Sequence, residues 1–273
     1  MKESFSPLRL GGVPEHFFYP WRKWFREKES IQAELFFEWK DYPGGSGAMI
    51  QALENDELDL AFLLTESVAF AQMSGKTLYP LSVFVESPLE WGIFTGFDNP
   101  ISQVEPIGQR KYAISRPGSG SQLMARVDAY RRQEHIKPEQ WVVVQNLDGA
   151  EEALLTGKAD LFFWEKWTTK PYVDQKKFRM VDVCRSPWPG FILVSGKELS
   201  KAQHEVVSNT MEEIFMLCKN LKEKAGSVSE IAREYGQRDQ DTSIWLQQVS
   251  WPKGMTDPAS AIKLAMGWME KVN

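Results

Sequence analysis

The sequence contains few of the residues that form covalent or metal-dependent scaffolds. Of its 273 residues, two are cysteine and three are histidine. Two cysteines in a chain of this length exclude a disulfide scaffold. The histidines, His16, His135 and His204, are not spaced as metal ligands. The glycine-rich loops also lack the Gly-Lys-Ser/Thr of a phosphate-binding loop. The sequence therefore predicts neither a metal nor a cofactor.

Long apolar runs and an excess of basic residues are missing as well. Apolar runs such as Leu60–Leu64 are far shorter than the ~20 residues that span a bilayer. The net charge is -5, from 32 basic and 37 acidic residues. Proteins dedicated to nucleic acids or membrane surfaces usually carry a basic stripe. We therefore expect no nucleic-acid partner and no membrane insertion.

The remaining composition is that of a globular protein. Hydrophobic residues make up 42% of the chain and charged residues 25%. Met1–Ser4 leads to the first predicted strand without the apolar stretch of a secretory signal. We therefore expect the protein to be cytoplasmic as written, or periplasmic if a leader was trimmed.

A strand–helix–strand–helix–strand unit occurs twice in the sequence. The first copy has predicted strands at Leu8–Val13, Ala33–Trp39 and Leu58–Leu64, and the second at Arg110–Ser115, Trp141–Gln145 and Ala159–Trp164. Shifted by 101 positions, Ala52–Phe62 aligns with Ala153–Phe163, and five of 11 positions match. An alternative is that any helix–turn–strand joint shows such a match.

The repeat predicts an α/β protein with two lobes, each a mostly parallel sheet flanked by helices. Residues 1–95 and 192–273 form lobe 1, which includes the C-terminal helices, and residues 96–191 form lobe 2. Trp91–Thr95 and Gly190–Val194 are strand-like and lie next to glycines, which suits two hinge strands between the lobes.

Five segments resemble the type II periplasmic-binding-protein superfamily, in the branch of nitrate, sulfonate, taurine and thiamine-precursor binding proteins. They are Gly12–Phe17, Gly44–Met49, Leu63–Glu66, Arg116–Ser121 and Ser186–Pro189. The resemblance covers the whole chain. The Glu-His-Phe and Leu-Thr-Glu sequences are similar to a smaller branch, known in fungi and some bacteria, that lacks signal peptides and has no settled function.

The resemblance implies a solute-binding protein, like the receptors of ABC transporters, that closes a two-lobe cleft on a small anionic or zwitterionic organic ligand. The alternative is a cytoplasmic enzyme on the same fold, acting on a pyrimidine or a carboxylate. We expect a monomer or weak dimer. A protein partner would bind the C-terminal helices.

Two glycine- and serine-rich turns lead from strands into helices, one in each predicted lobe. Ligands of open α/β sheets lie at the carboxyl ends of the strands, and helix N-termini attract anions. Gly45, Ser46 and Gly47 in the first lobe are therefore candidate ligand contacts, and so are Ser119, Gly120 and Ser121 in the second. The alternative is an ordinary helix cap and turn.

Three carboxylates and a hydroxyl also follow predicted strands. Glu15, Glu66 and Glu165, with Thr65, would suit an amine, amidine or aminopyrimidine group of a ligand. The alternative is that each carboxylate pairs with a basic residue such as Lys166 or Arg116. In the enzyme hypothesis Glu15, Glu66 and His16 would transfer protons, although we predict no catalytic residue in the binding protein.

Aromatic residues complete the candidate site. His16 follows Glu15 directly and would contact the ligand or serve as a structural histidine. Trp164 and Trp188 lie near a strand end and a hinge, where they would form an aromatic wall or pack in the core.

Overall fold

The computed structural model describes residues 6–27 and 36–272. Their strands are Leu8–Gly12 (β1), Phe37–Asp41 (β2), Leu60–Leu64 (β3), Tyr79–Gly96 (β4), Tyr112–Ile114 (β5), Trp141–Val143 (β6), Leu161–Glu165 (β7) and Phe178–Ser195 (β8). Their α-helices are Tyr19–Glu27 (α1), Gly45–Glu54 (α2), Thr65–Met73 (α3), Gly120–Arg131 (α4), Leu147–Leu155 (α5), Lys166–Asp174 (α6), Lys201–Glu223 (α7), Ser227–Glu234 (α8), Asp239–Gln248 (α9) and Ala259–Val272 (α10). Residues 1–4 and the predicted strand residues 33–35 lie outside the described part.

The chain divides into two compact units. Unit 1 contains the residues up to Ser87 and Trp188–Lys263, and unit 2 contains Pro88–Pro187 and the residues from Leu264 onward. The long strands β4 and β8 each contribute to both units. The strand order is β2-β1-β3-β8-β4-β7-β5-β6. The sequence-based borders at 95/96 and 191/192 differ from those of the compact units and remain a prediction about lobes.

Unit 1 is organised around a parallel core of strands. β1 is paired in parallel with β2 and β3, and β3 is paired antiparallel with β8, from Leu60 opposite Ser195 to Leu64 opposite Phe191. A strand covered on both faces is expected to be apolar along its whole length, as β3 is. Phe62 of β3 lies 4.6 Å from Phe84 and 5.2 Å from Phe18, measured between ring centroids.

Unit 2 repeats this arrangement. β5 is paired in parallel with β6 and β7, and β7 is paired antiparallel with β4. Its core contains Phe94, Phe162 and Phe178, all fully buried.

The last turns of the chain belong to unit 2. Residues from Leu264 onward group with it, and the Trp268 ring lies 5.8 Å from the Tyr130 ring. The Arg131 guanidinium lies 5.4 Å from the same indole. The predicted lobe 1 includes these residues, and this part of the lobe assignment also remains a prediction.

The two units share hydrogen bonds at equivalent positions. The backbone N–H of Arg9 donates to Asp59 Oδ2 over 2.8 Å, and the backbone N–H of Lys111 donates to Asp160 Oδ2 over 2.7 Å. In both units an aspartate before the third strand therefore holds the start of the first strand. The match found in the sequence reflects a repeated structure.

None of the described helices could cross a bilayer.

Candidate functional site

In unit 1, the N-terminus of α2 lies at the carboxyl end of β3. Ser46 is buried, and its Oγ accepts a hydrogen bond from the backbone N–H of Leu64 over 2.9 Å. Gly45 begins the helix with a φ of +69°, a conformation that glycine adopts without strain. The structure thus places Gly45, Ser46 and Gly47 at the predicted strand end, with the Ser46 hydroxyl engaged in a structural bond.

Thr65, Glu66 and Trp188 come together at the same end of β3. The indole Nε1 of Trp188 donates to Glu66 Oε2 over 2.7 Å, and the two residues are 1% and 3% exposed. Thr65 Oγ1 donates to the Gly190 carbonyl over 3.5 Å. Burial raises the pKa of Glu66 to about 7, although the Trp188 N–H favours the charged form. Two predicted ligand contacts are therefore bonded to each other.

Glu15 and His16 follow β1, the parallel neighbour of β3. Glu15 is half-buried, whereas His16 is 1% exposed and begins a 3-10 turn, His16–Phe18. The His16 ring lies 4.4 Å from the Trp245 ring, and its Nδ1 lies 3.2 Å from the amide nitrogen of Gln237. Burial lowers the pKa of His16 to about 3, so the ring is neutral near pH 7. These contacts favour the structural alternative for His16.

In unit 2, the N-terminus of α4 is fastened to the end of β5. Ser119 caps the helix, and its Oγ accepts the backbone N–H of Gln122 over 3.4 Å. Ser121 Oγ accepts the backbone N–H of Ser115 over 3.1 Å, and the two hydroxyls lie 2.9 Å apart. Gly120, between them, places no side chain over the first turn of the helix.

Arg116 adds a cation to this helix end. It follows β5 directly after Ser115, its carbonyl accepts the N–H of Ser119, and its side chain is exposed. Within the described residues it forms no ion pair, so the alternative in which it pairs with a candidate carboxylate is not observed there. The sequence pattern suggests Arg116 only as a partner of a glutamate. The signal for a direct role is its place inside the Gly/Ser-rich strand-to-helix turn.

Trp164 and Glu165 end β7, the parallel neighbour of β5. Trp164 is half-buried and stacks on Phe162, with 5.1 Å between the ring centroids. Glu165 caps α6, and its Oε2 accepts the N–H of Thr168 over 2.6 Å. Burial raises the pKa of Glu165 to about 7. Both residues lie at the predicted edge and also have structural contacts.

The comparisons with known proteins agree on the fold. Residues 91–184 match the model of the Ca3427-like PBP family. A Candida albicans protein, the CA3427 gene product, which defines a family with the generic periplasmic binding protein fold, is 23% identical; the match covers 98% of this chain and 90% of that one, with a TM-score of 0.86. No match is found among curated proteins.

Sulfonate-binding proteins are similar in structure as well. The alkanesulfonate-binding protein SsuA from Xanthomonas axonopodis pv. citri, bound to MOPS, is 18% identical over 98% of this chain and 93% of that one, with a TM-score of 0.78. The periplasmic aliphatic sulphonate binding protein SsuA from Escherichia coli is also 18% identical, over 98% and 88%, with a TM-score of 0.66.

The chain therefore has a periplasmic-binding-protein fold, a mixed α/β sheet of eight strands flanked by helices. The resemblance seen in the sequence is confirmed, including its link to the fungal branch.

Proposed function

We propose that the chain is a solute-binding protein that closes a cleft between two lobes on a small anionic or zwitterionic organic molecule. The main support for an anionic group on the ligand comes from Arg116. Arg116 is an exposed residue with no ion pair within the described residues, although burial lowers the pKa of its guanidinium, and it lies in the turn that leads into α4. A helix N-terminus carries roughly half a positive charge, and a guanidinium binds carboxylate or sulfonate oxygens in pairs.

The charge distribution around this point favours an anion. Lys166 and Arg185 of unit 2 both bind Glu90, at 2.7 and 2.6 Å. Their charges are thus shared with a carboxylate, whereas the charge of Arg116 is available to a ligand. The ligand's remaining contacts would come from the glycine-rich start of α2 and from Glu15, the most exposed of the three candidate glutamates.

MOPS is the first probe, because a sulfonate-binding protein of this fold binds it. We expect isothermal titration calorimetry to detect binding of MOPS or of simple alkanesulfonates and carboxylates, and no binding of N-propylmorpholine, which lacks the sulfonate of MOPS. Binding of the uncharged analogue as tightly as MOPS, or of none of these anions, would contradict the proposal.

Arg116→Gln should weaken binding of the anion about tenfold or more, because a hydrogen bond to a charged group contributes about 1.5–3 kcal/mol. Lys111→Gln is the matched control. Lys111 is exposed and precedes β5, so this substitution removes one positive charge, as Arg116→Gln does, but at the opposite end of the strand. Equal loss of affinity in both variants would show a general effect of charge and not a contact.

The second candidate function is an enzyme on the same fold. It is favoured by Glu66 and Glu165, whose pKa values burial raises to about 7, close to the value that suits proton transfer at neutral pH. A metabolite of a cell extract that is consumed by the wild type and spared by Glu66→Gln or Glu165→Gln would establish this activity. If the wild type consumes no metabolite of the extract, the enzyme hypothesis is contradicted.

A further inference from the structure

Glu66 and Trp188 lie where the chain re-enters unit 1. Trp188 is the first residue of β8 that belongs to this unit. The indole of Trp188 donates to Glu66 Oε2 over 2.7 Å. The carbonyl of Gly190, two residues after Trp188, accepts a hydrogen bond from Thr65 Oγ1. Two consecutive residues in the first turn of α3 thus hold β8 at its entry.

The carboxyl group of Glu66 is buried without a cation. Burial raises the pKa of this carboxyl, its own backbone N–H and the Trp188 N–H lower it in part, and no charged side chain of the described residues contributes. Oε1 is also buried and accepts no hydrogen bond from the residues that the structure describes. Ionisation therefore places a charge in an apolar site with few donors, which is costly.

Unit 2 forms the equivalent joint with an ion pair. At the positions that correspond to Thr65 and Gly190 stand Lys166 and Glu90, whose charged atoms lie 2.7 Å apart. Although burial opposes it, the bonds of Lys166 and Arg185 hold the pKa of Glu90 below its usual value. The ion pair of Glu90 and Lys166 therefore stays charged near neutral pH, whereas the pair of Glu66 and Trp188 contains a carboxyl that titrates there.

We propose that the Glu66–Trp188 pair is a protonation-controlled joint, which holds β8 in unit 1 while the carboxyl is protonated and loosens when it is ionised. In an opened joint water solvates the carboxyl, so the opened state has the lower pKa. The free energy of opening therefore falls as the pH rises from the pKa of the solvated carboxyl toward the pKa of the buried carboxyl. Above the pKa of the buried carboxyl, the free energy of opening no longer changes with pH.

The Trp188 indole N–H reports the ionisation directly in ¹⁵N–¹H NMR. Among the 11 tryptophans its resonance is the one lost in Trp188→Phe. We expect it to move with pH, with a midpoint near 7, in the wild type and to stay fixed in Glu66→Gln. A resonance that does not move between about pH 5.5 and 8.5, or that still moves in Glu66→Gln, overturns the proposal.

Hydrogen exchange tests whether ionisation loosens β8. After correction for intrinsic rates, protection of residues 190–194 should fall about tenfold per pH unit between about pH 5 and 7 in the wild type and stay constant in Glu66→Gln. Lys166→Gln is the matched control and should keep the dependence of the wild type. An equal dependence in Glu66→Gln contradicts the joint. Neither experiment requires a ligand, so their outcome is independent of the proposed solute binding.

Discussion

At the scale of single residues, burial decides which polar groups of the candidate site remain available to a ligand. His16, Glu66 and Glu165 are all nearly inaccessible, and each has a partner within its own unit. Arg116, which the sequence predicts only as a possible counter-ion, is exposed and has no ion pair in the described part of the chain. The residue type alone does not distinguish buried, partnered residues from available ones, because the partners lie far away in the sequence. Gln237 is 221 positions from His16, and Trp188 is 122 positions from Glu66.

The buried His16 predicts a loss of stability in acid. Its pKa is about 3 in the folded protein and 6.5 when solvated, so below pH 6.5 the unfolded chain binds a proton that the folded one does not. The free energy of unfolding should fall about 1.4 kcal/mol per pH unit from this group, or about 2 kcal/mol at pH 5. His16→Gln should abolish this part of the slope in urea titrations, and His204→Gln, at an exposed position of α7, should keep it. An unchanged slope in His16→Gln would contradict the assignment.

At the scale of elements, the repeat could be read from the sequence because it repeats local requirements. The turn before the third strand has a left-handed residue in both units, Asp56 with a φ of 60° and Gly157 with 69°. The turn after the next helix does so too, with Gly75 at 78° and Lys176 at 58°. Helix, turn and strand follow from such nearby residues. The pairing of β3 with β8 and of β7 with β4 joins distant segments, so no local pattern could predict its register.

The turn residues predict opposite effects at equivalent places. Gly157→Ala forces a side chain into the left-handed region and should destabilise the protein by about 1 kcal/mol. Lys176→Gly relieves the same strain, and because the added freedom of the unfolded chain offsets part of the gain, we expect a stabilisation of less than about 1 kcal/mol. Urea denaturation of both variants checks the signs. A stabilised Gly157→Ala would be incompatible with the observed φ.

At the scale of the whole molecule, three buried groups act on stability in opposite directions. Glu66 and Glu165 have pKa values near 7 when folded and about 4.5 when solvated, so their contribution is complete below pH 4.5 and is lost as the pH rises to 7. His16 contributes fully above pH 6.5 and loses its contribution toward pH 3. Between pH 6.5 and 4.5 each of the two carboxyls gains about as much stability per pH unit as the imidazole loses.

The sum predicts that acidification from pH 7 to 5 raises the melting temperature, contrary to the usual behaviour of carboxylates. The net gain is about 1.4 kcal/mol per pH unit between pH 6.5 and 5, because two groups gain and one loses that amount. The double variant Glu66→Gln, Glu165→Gln should be more stable than the wild type at pH 8, where neither amide carries a buried charge. It should also lose melting temperature on acidification, since only His16 then titrates in this range. A wild type whose melting temperature falls from pH 7 to 5 as steeply as that of the double variant would show that these carboxyls are ionised or solvated in the folded protein, and that Glu66 cannot act as a protonation-controlled joint.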